Sequence, residues 1–142
     1  MTRLIEPSDI VAFASGFVGL DVRCDDDGDL LAGMGIEGEE ASAFFASYAE
    51  HFSVESEKML WFFHYKTNGS PFWRRIRPVD RDGRTFALIP VSPRLLADAA
   101  NLGRWPLEYP THKVHVSRWP IVLMFIFLAT LVLSMEIISL SR

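Results

Sequence analysis

The chain has 142 residues, of which 49% are hydrophobic and 13% aromatic, enough to fill a folded core and exclude the disordered class. Its net charge of −4 hides a division: residues 1–57 carry 2 basic and 13 acidic side chains, whereas 58–118 carry 11 basic and 4 acidic ones. The single cysteine, Cys24, excludes an internal disulfide, and its neighbours Asp25, Asp26 and Asp27 disfavour the thiolate, which fits an inert thiol in a reducing compartment.

In chain order, Pro7-Ser8-Asp9 followed by Ile10, Phe13, Phe17 and Leu20 predicts an amphipathic helix with Ser8 as its N-cap and the aromatic stripe facing the core. Asp21 to Asp29 reads as a polar loop. Aligned on an EF-hand glycine at Gly28, it would place Arg23 at the first ligand position and Met34 at the bidentate acid, so calcium is rejected. Gly33-Met34-Gly35-Ile36-Glu37-Gly38 matches G-x-G-x-x-G by letter. No strand is predicted before it, and Glu37, Glu39 and Glu40 would sit where a pyrophosphate binds, so no nucleotide is expected. The same acids suit a helix start, with Ala41, Phe44, Phe45, Tyr48 and Phe52 along one face.

Met59 to Tyr65 is a dense apolar run that should complete the core, with His64 a hydrogen-bonded core or rim residue, and Asn68-Gly69 predicts a turn. Arg74, Arg75, Arg77, Arg81 and Arg84, interleaved with Phe72, Trp73 and Pro78, form a basic cluster. Beside a membrane anchor it suits lipid headgroups or an acidic protein face better than nucleic acid. Thr85 to Val91 is expected as one short strand. Ser92-Pro93 caps a helix over Leu95 to Leu102, closed by Gly103. Arg104 to Trp119, with Pro106 and Pro110, reads as an extended connector. His112 and His115 in it lack a third ligand, so no metal is expected. No catalytic constellation emerges.

From Trp119 the chain is uncharged to Met135, and the apolar character resumes after Glu136. About twenty residues at about 1.5 Å each match a hydrocarbon core of about 30 Å, so a transmembrane anchor is predicted at 119–142. Arg104, Lys113 and Arg118 precede it, with Trp119 at the interface, and only Arg142 follows. The positive-inside rule then leaves the N-terminal domain in the cytoplasm, and with no signal-like N-terminus the chain is expected to insert as a tail-anchored protein. Thr130, Ser134 and Glu136 are the candidate contacts to another transmembrane helix.

Two stretches carry a family resemblance. Met34-Gly35-Ile36-Glu37-Gly38-Glu39-Glu40-Ala41 leading to Phe44, Phe45, Ala49, Phe52 and Val54 resembles the second-helix region of acyl carrier proteins, and more so the bacterial family of acyl-carrier-like domains of unknown function numbered 1493. Ile89-Pro90-Val91-Ser92-Pro93 through Gly103-Arg104-Trp105-Pro106 and Tyr109-Pro110 is similar to that family's C-terminal extension. The resemblance spans roughly residues 8 to 115. It implies a mainly α fold: a small acyl-carrier-like helical bundle over 1–66, a basic, short β or irregular extension over 67–118 packed on it, and then the anchor. It also implies partner recognition by the acidic surface of Glu37, Glu39 and Glu40. Matched to the carrier Asp-Ser-Leu triplet, Gly38 occupies the serine that takes phosphopantetheine, so no cofactor is expected, and Ser42, the nearest serine, lies about one turn onward. The resulting expectation is a non-enzymatic, membrane-anchored interaction or structural accessory subunit of the bacterial inner membrane, with membrane lipid and a protein complex as partners. A genuine acyl carrier of lipid or polyketide metabolism, and a transmembrane subunit of an ion- or electron-transfer complex using Glu136, are the alternatives.

Overall fold

The computed structural model describes residues 3–66, 75–117 and 119–140, and among these it is mainly helical, with one two-stranded sheet. Helix α1 (Pro7–Val18) begins at Pro7, and Glu6, not Ser8, is its N-cap. A proline has a pre-set helical φ and no N–H to satisfy, so it claims the first helical position and drives the preceding residue to extended backbone. Glu6 accordingly has φ −98° and ψ 158°, and its N–H donates to Asp9 Oδ2 at 2.9 Å. The buried stripe is also narrower than expected. Ile10 and Ala14 are buried and Phe13 packs partly on the core, whereas Phe17 is 37% exposed and Leu20, past the Gly19 cap, is 71% exposed.

Helix α2 (Leu30–Met34) is capped by Asp29, whose Oδ1 accepts the Leu31 N–H at 3.1 Å, and it buries Leu30, Leu31 and Met34. The G-x-G-x-x-G stretch therefore joins two helices and follows no strand, which is the wrong setting for a dinucleotide loop. Helix α3 (Gly38–Phe52) buries Ala41, Phe44, Phe45 and Tyr48, as the spacing predicts. Helix α4 (Pro93–Leu102) carries the expected Ser92 cap, with Oγ accepting the Leu95 N–H at 3.1 Å, and ends at a left-handed Gly103. It packs on α1. Tyr48 donates its hydroxyl to the Leu96 carbonyl at 2.5 Å, and the Asn101 amide pairs with both Ile5 N–H and Ile5 C=O at 2.8 Å. One hydrophobic cluster thus runs from Ile10 through Val91, Leu96 and Trp105, so the extension shares the core of the helices before it.

Thr85 to Val91 is not a strand. Phe86 N–H donates to Pro78, Ile89 N–H to Phe63, and the Val91 carbonyl accepts from Leu30, while only Thr85 bridges Val79. Backbone groups committed to three different segments build no ladder, and Pro90 has no N–H to offer. The sheet lies elsewhere: β1 (Arg75–Val79) pairs antiparallel with β2 (Lys113–Ser117), placing Arg77 opposite His115 and Val79 opposite Lys113. The expected connector is therefore structured, with the buried Trp105 donating to the Tyr109 hydroxyl at 2.8 Å before β2 begins. Pro78 is accommodated because each strand of a two-stranded sheet is an edge. The predicted Asn68-Gly69 turn and Phe72, Trp73 and Arg74 lie outside the described residues.

Helix α5 (Trp119–Leu140) is apolar around its circumference, and no part of its Ile121–Ser139 stretch is buried by the rest of the chain. At about 1.5 Å per residue it is long enough to cross a membrane.

Candidate functional site

The start of α3 is shaped by four consecutive residues. Gly35 ends α2 in the left-handed conformation, φ +68°, with its N–H on Ala32 C=O at 3.1 Å. Ile36 then turns into the core. Glu37 follows as extended N-cap, φ −143°, and Gly38, buried, holds φ +57°. The outcome is that Glu37, Glu39 and Glu40 all stand exposed around a shallow depression that they line together with Gly35. Among the described residues no basic side chain pairs with them. The unsatisfied N–H groups and the positive end of the α3 dipole stabilise carboxylates there, so the charge concentrates on a rigid helix end.

Gly38 has no hydroxyl, and its left-handed φ is one that side-chain-bearing residues adopt only under strain. Ser42 is exposed on the next turn, with its hydroxyl hydrogen-bonded to the Tyr65 phenol.

A groove between α1 and α3, bordered by Leu4, Phe13, Phe17, His51 and Phe52, escaped the sequence reading. The helical period alone does not reveal that Phe13 meets His51 and Phe52, with ring centroids 4.9 and 5.4 Å apart.

His64 is 4% exposed and both its ring nitrogens are hydrogen-bonded, the core setting expected of it. Its Nδ1 lies 3.0 Å from the Ile89 carbonyl and Nε2 2.6 Å from the Tyr109 hydroxyl. A carbonyl only accepts, so Nδ1 carries the proton and Nε2 receives one from Tyr109. Burial holds this imidazole below its ordinary pKa, partly offset by the Ile89 hydrogen bond and by Asp29. Burial also raises the Cys24 thiol, with Asp25, Asp29 and Asp26 adding to the effect, and its Sγ lies 3.3 Å from the Asp25 carbonyl. His112 packs against Phe62 and Phe63, and His115 stands exposed on β2, so the fold does not join them in one ligand set.

The anchor-side candidates fall in separate places. Arg104 is exposed just after α4, where its backbone bridges Glu55, and Lys113 is exposed at the start of β2. Arg118 and the Trp119 side chain lie outside the described residues. On α5, Thr130 donates its hydroxyl to the Phe127 carbonyl and Ser134 donates to Thr130, both at 2.8 Å. The two hydroxyls are thus satisfied within their own helix, and what remains for a neighbour is their small size. Glu136 is exposed within the apolar stretch, one turn before Leu140. No family model, curated protein or solved structure matches this chain.

Proposed function

We propose that the chain is a membrane-anchored, non-catalytic interaction or structural subunit: an acyl-carrier-like helical domain without a prosthetic arm that presents the start of α3 to a partner protein. The observation that carries this reading is the trio Glu37, Glu39 and Glu40, exposed and unpaired on a helix end whose central residue is glycine instead of a hydroxyl-bearing one. Three like charges held on one rigid edge favour a basic protein surface and steer its approach. A nucleotide or nucleic acid is repelled by the same edge.

In this proposal the domain lies on the cytoplasmic side of a bacterial inner membrane, supported by the basic residues Arg104, Lys113 and Arg118 that precede α5. The test is purification of the full chain from its own membranes in mild detergent, beside a variant carrying Glu37→Lys, Glu39→Lys and Glu40→Lys. The expected outcome is that the variant stays in the membrane but loses the chains that co-purify with the parent. Unchanged co-purification overturns the acidic face as the recognition surface, and a phosphopantetheine adduct in the intact mass of the parent returns the chain to the carriers.

A further inference from the structure

The β1–β2 ribbon has two chemically different faces. Ile76 and Pro78 of β1 and Val114 and Val116 of β2 alternate with Arg77, Lys113 and His115. Most of the apolar face is in use, since Pro78 is buried, Ile76 and Val116 are half-buried, and β1 packs against the turn Trp61–Phe63, while Val114 is left 48% exposed. Arg77, Lys113 and His115 are exposed on the opposite face, with Arg77 directly across from His115. Among the described residues none of the three is paired with a carboxylate. The nearest acids in sequence, Asp80 and Asp82, lie in the turn beyond Val79, where Asp80 Oδ1 accepts the Asp82 and Arg84 N–H groups at 2.9 Å.

We infer that this cationic face of the ribbon lies against the anionic headgroups of the leaflet that α5 enters. Covalent geometry is the argument. Strand β2 ends at Ser117 and α5 begins at Trp119, so the ribbon is joined to the apolar helix across one residue. Strands rise about 3.4 Å per residue, which puts Arg77 and His115 at most about 7 Å above the level of Ser117 even if the ribbon stands along the membrane normal. The headgroup layer is about 5–8 Å deep and the Debye length is about 8 Å at physiological salt, so both groups fall within the surface field. Lys113 comes within it as the ribbon tilts. Arg77 and Lys113 at that depth favour the docked state by about five-fold each on an anionic leaflet.

The inference rests on α5 spanning the bilayer and not on the acidic face of α3. Its test places the full chain in nanodiscs of phosphatidylcholine alone or mixed with phosphatidylglycerol, and follows carbethoxylation of each histidine by diethyl pyrocarbonate. His115 should react at least about three-fold more slowly in the anionic discs, while exposed His51 on α3 reacts equally in both. Arg77→Glu should cancel the difference and Arg23→Glu, the same charge change in the acidic half, should preserve it. Buried His64 reports folding by staying unreactive, and Lys113→Glu replaces Arg77→Glu if that variant unfolds. Equal His115 rates in the two lipids, or equal loss in the Arg23 variant, overturn the docked face. A chain that leaves the discs overturns the anchor itself, and this inference with it.

Discussion

Gly38 and His64 are the two residues whose environments dictate what they tolerate. A serine at Gly38 would have to hold φ +57° in a buried position, a conformation costing an L-residue about 1–2 kcal/mol. Gly38→Ser is therefore expected to lower unfolding free energy by about that amount in a denaturant titration. It should also stay unmodified, by intact mass, when co-expressed with a phosphopantetheinyl transferase. A mass gain would mean that the helix start keeps carrier geometry after all. His64 makes the opposite case, a polar group fitted so closely that charging it is costly. Its folded pKa lies below the 6.5 of a free imidazole, so between those values the unfolded chain binds more protons than the folded one. Stability is then complete above about pH 6.5 and is lost as pH falls from there through the folded value. Thermal melts of the detergent-solubilised chain should show Tm dropping across this window. In His64→Gln that drop should flatten from a lower starting point, because the buried bonds to Ile89 and Tyr109 are no longer both made. Asp27, held below its ordinary value by its hydrogen bond to Arg94, adds a separate loss only near and below its ordinary 3.8.

Elements written in local signals were those the sequence revealed. Helix α4 has a cap, a first-turn proline and a closing glycine within twelve residues, and α3 has an apolar face at the helical spacing, so both were legible. The Ser92 cap is worth about 1 kcal/mol, and Ser92→Ala is expected to cost that in chemical denaturation, with Ser92→Asp restoring most of it. Where two local signals compete, reading fails at the boundary: Pro7 and Ser8 both mark a helix start, and the proline wins because its φ is fixed. The sheet was illegible for another reason. Strands β1 and β2 stand more than thirty residues apart, each alternates valine or isoleucine with charge, and β1 contains a proline that argues against a strand. Only their pairing makes them strands, and pairing leaves no mark in either segment alone. The acidic helix start was legible as charge, but the depression shaped by Gly35 and the left-handed Gly38 required the backbone.

For the molecule as a whole, the decisive element is α5, and its energetics set a quantitative expectation. Leucine, isoleucine, phenylalanine and valine fill twelve positions of Ile121–Ser139. At about −0.3 to −0.6 kcal/mol each near the bilayer centre they favour insertion by roughly 4–7 kcal/mol. An arginine at the centre costs about 2.5–3.5 kcal/mol, and the leucine it replaces is lost as well. Leu128→Arg alone should therefore leave most of the chain in the membrane. Leu128→Arg with Leu131→Arg should cost about 6–8 kcal/mol, enough to cancel the insertion energy and move the chain to the supernatant. Alkaline carbonate extraction followed by high-speed sedimentation reads the outcome directly. The folded part should survive the change, because its core from Ile10 to Trp105 includes no α5 residue, and the fluorescence of buried Trp105 monitors that. If the double variant sediments as the parent does, the apolar helix is not what holds this chain to the membrane. If the parent is itself released by carbonate, α5 serves a protein partner and not the lipid.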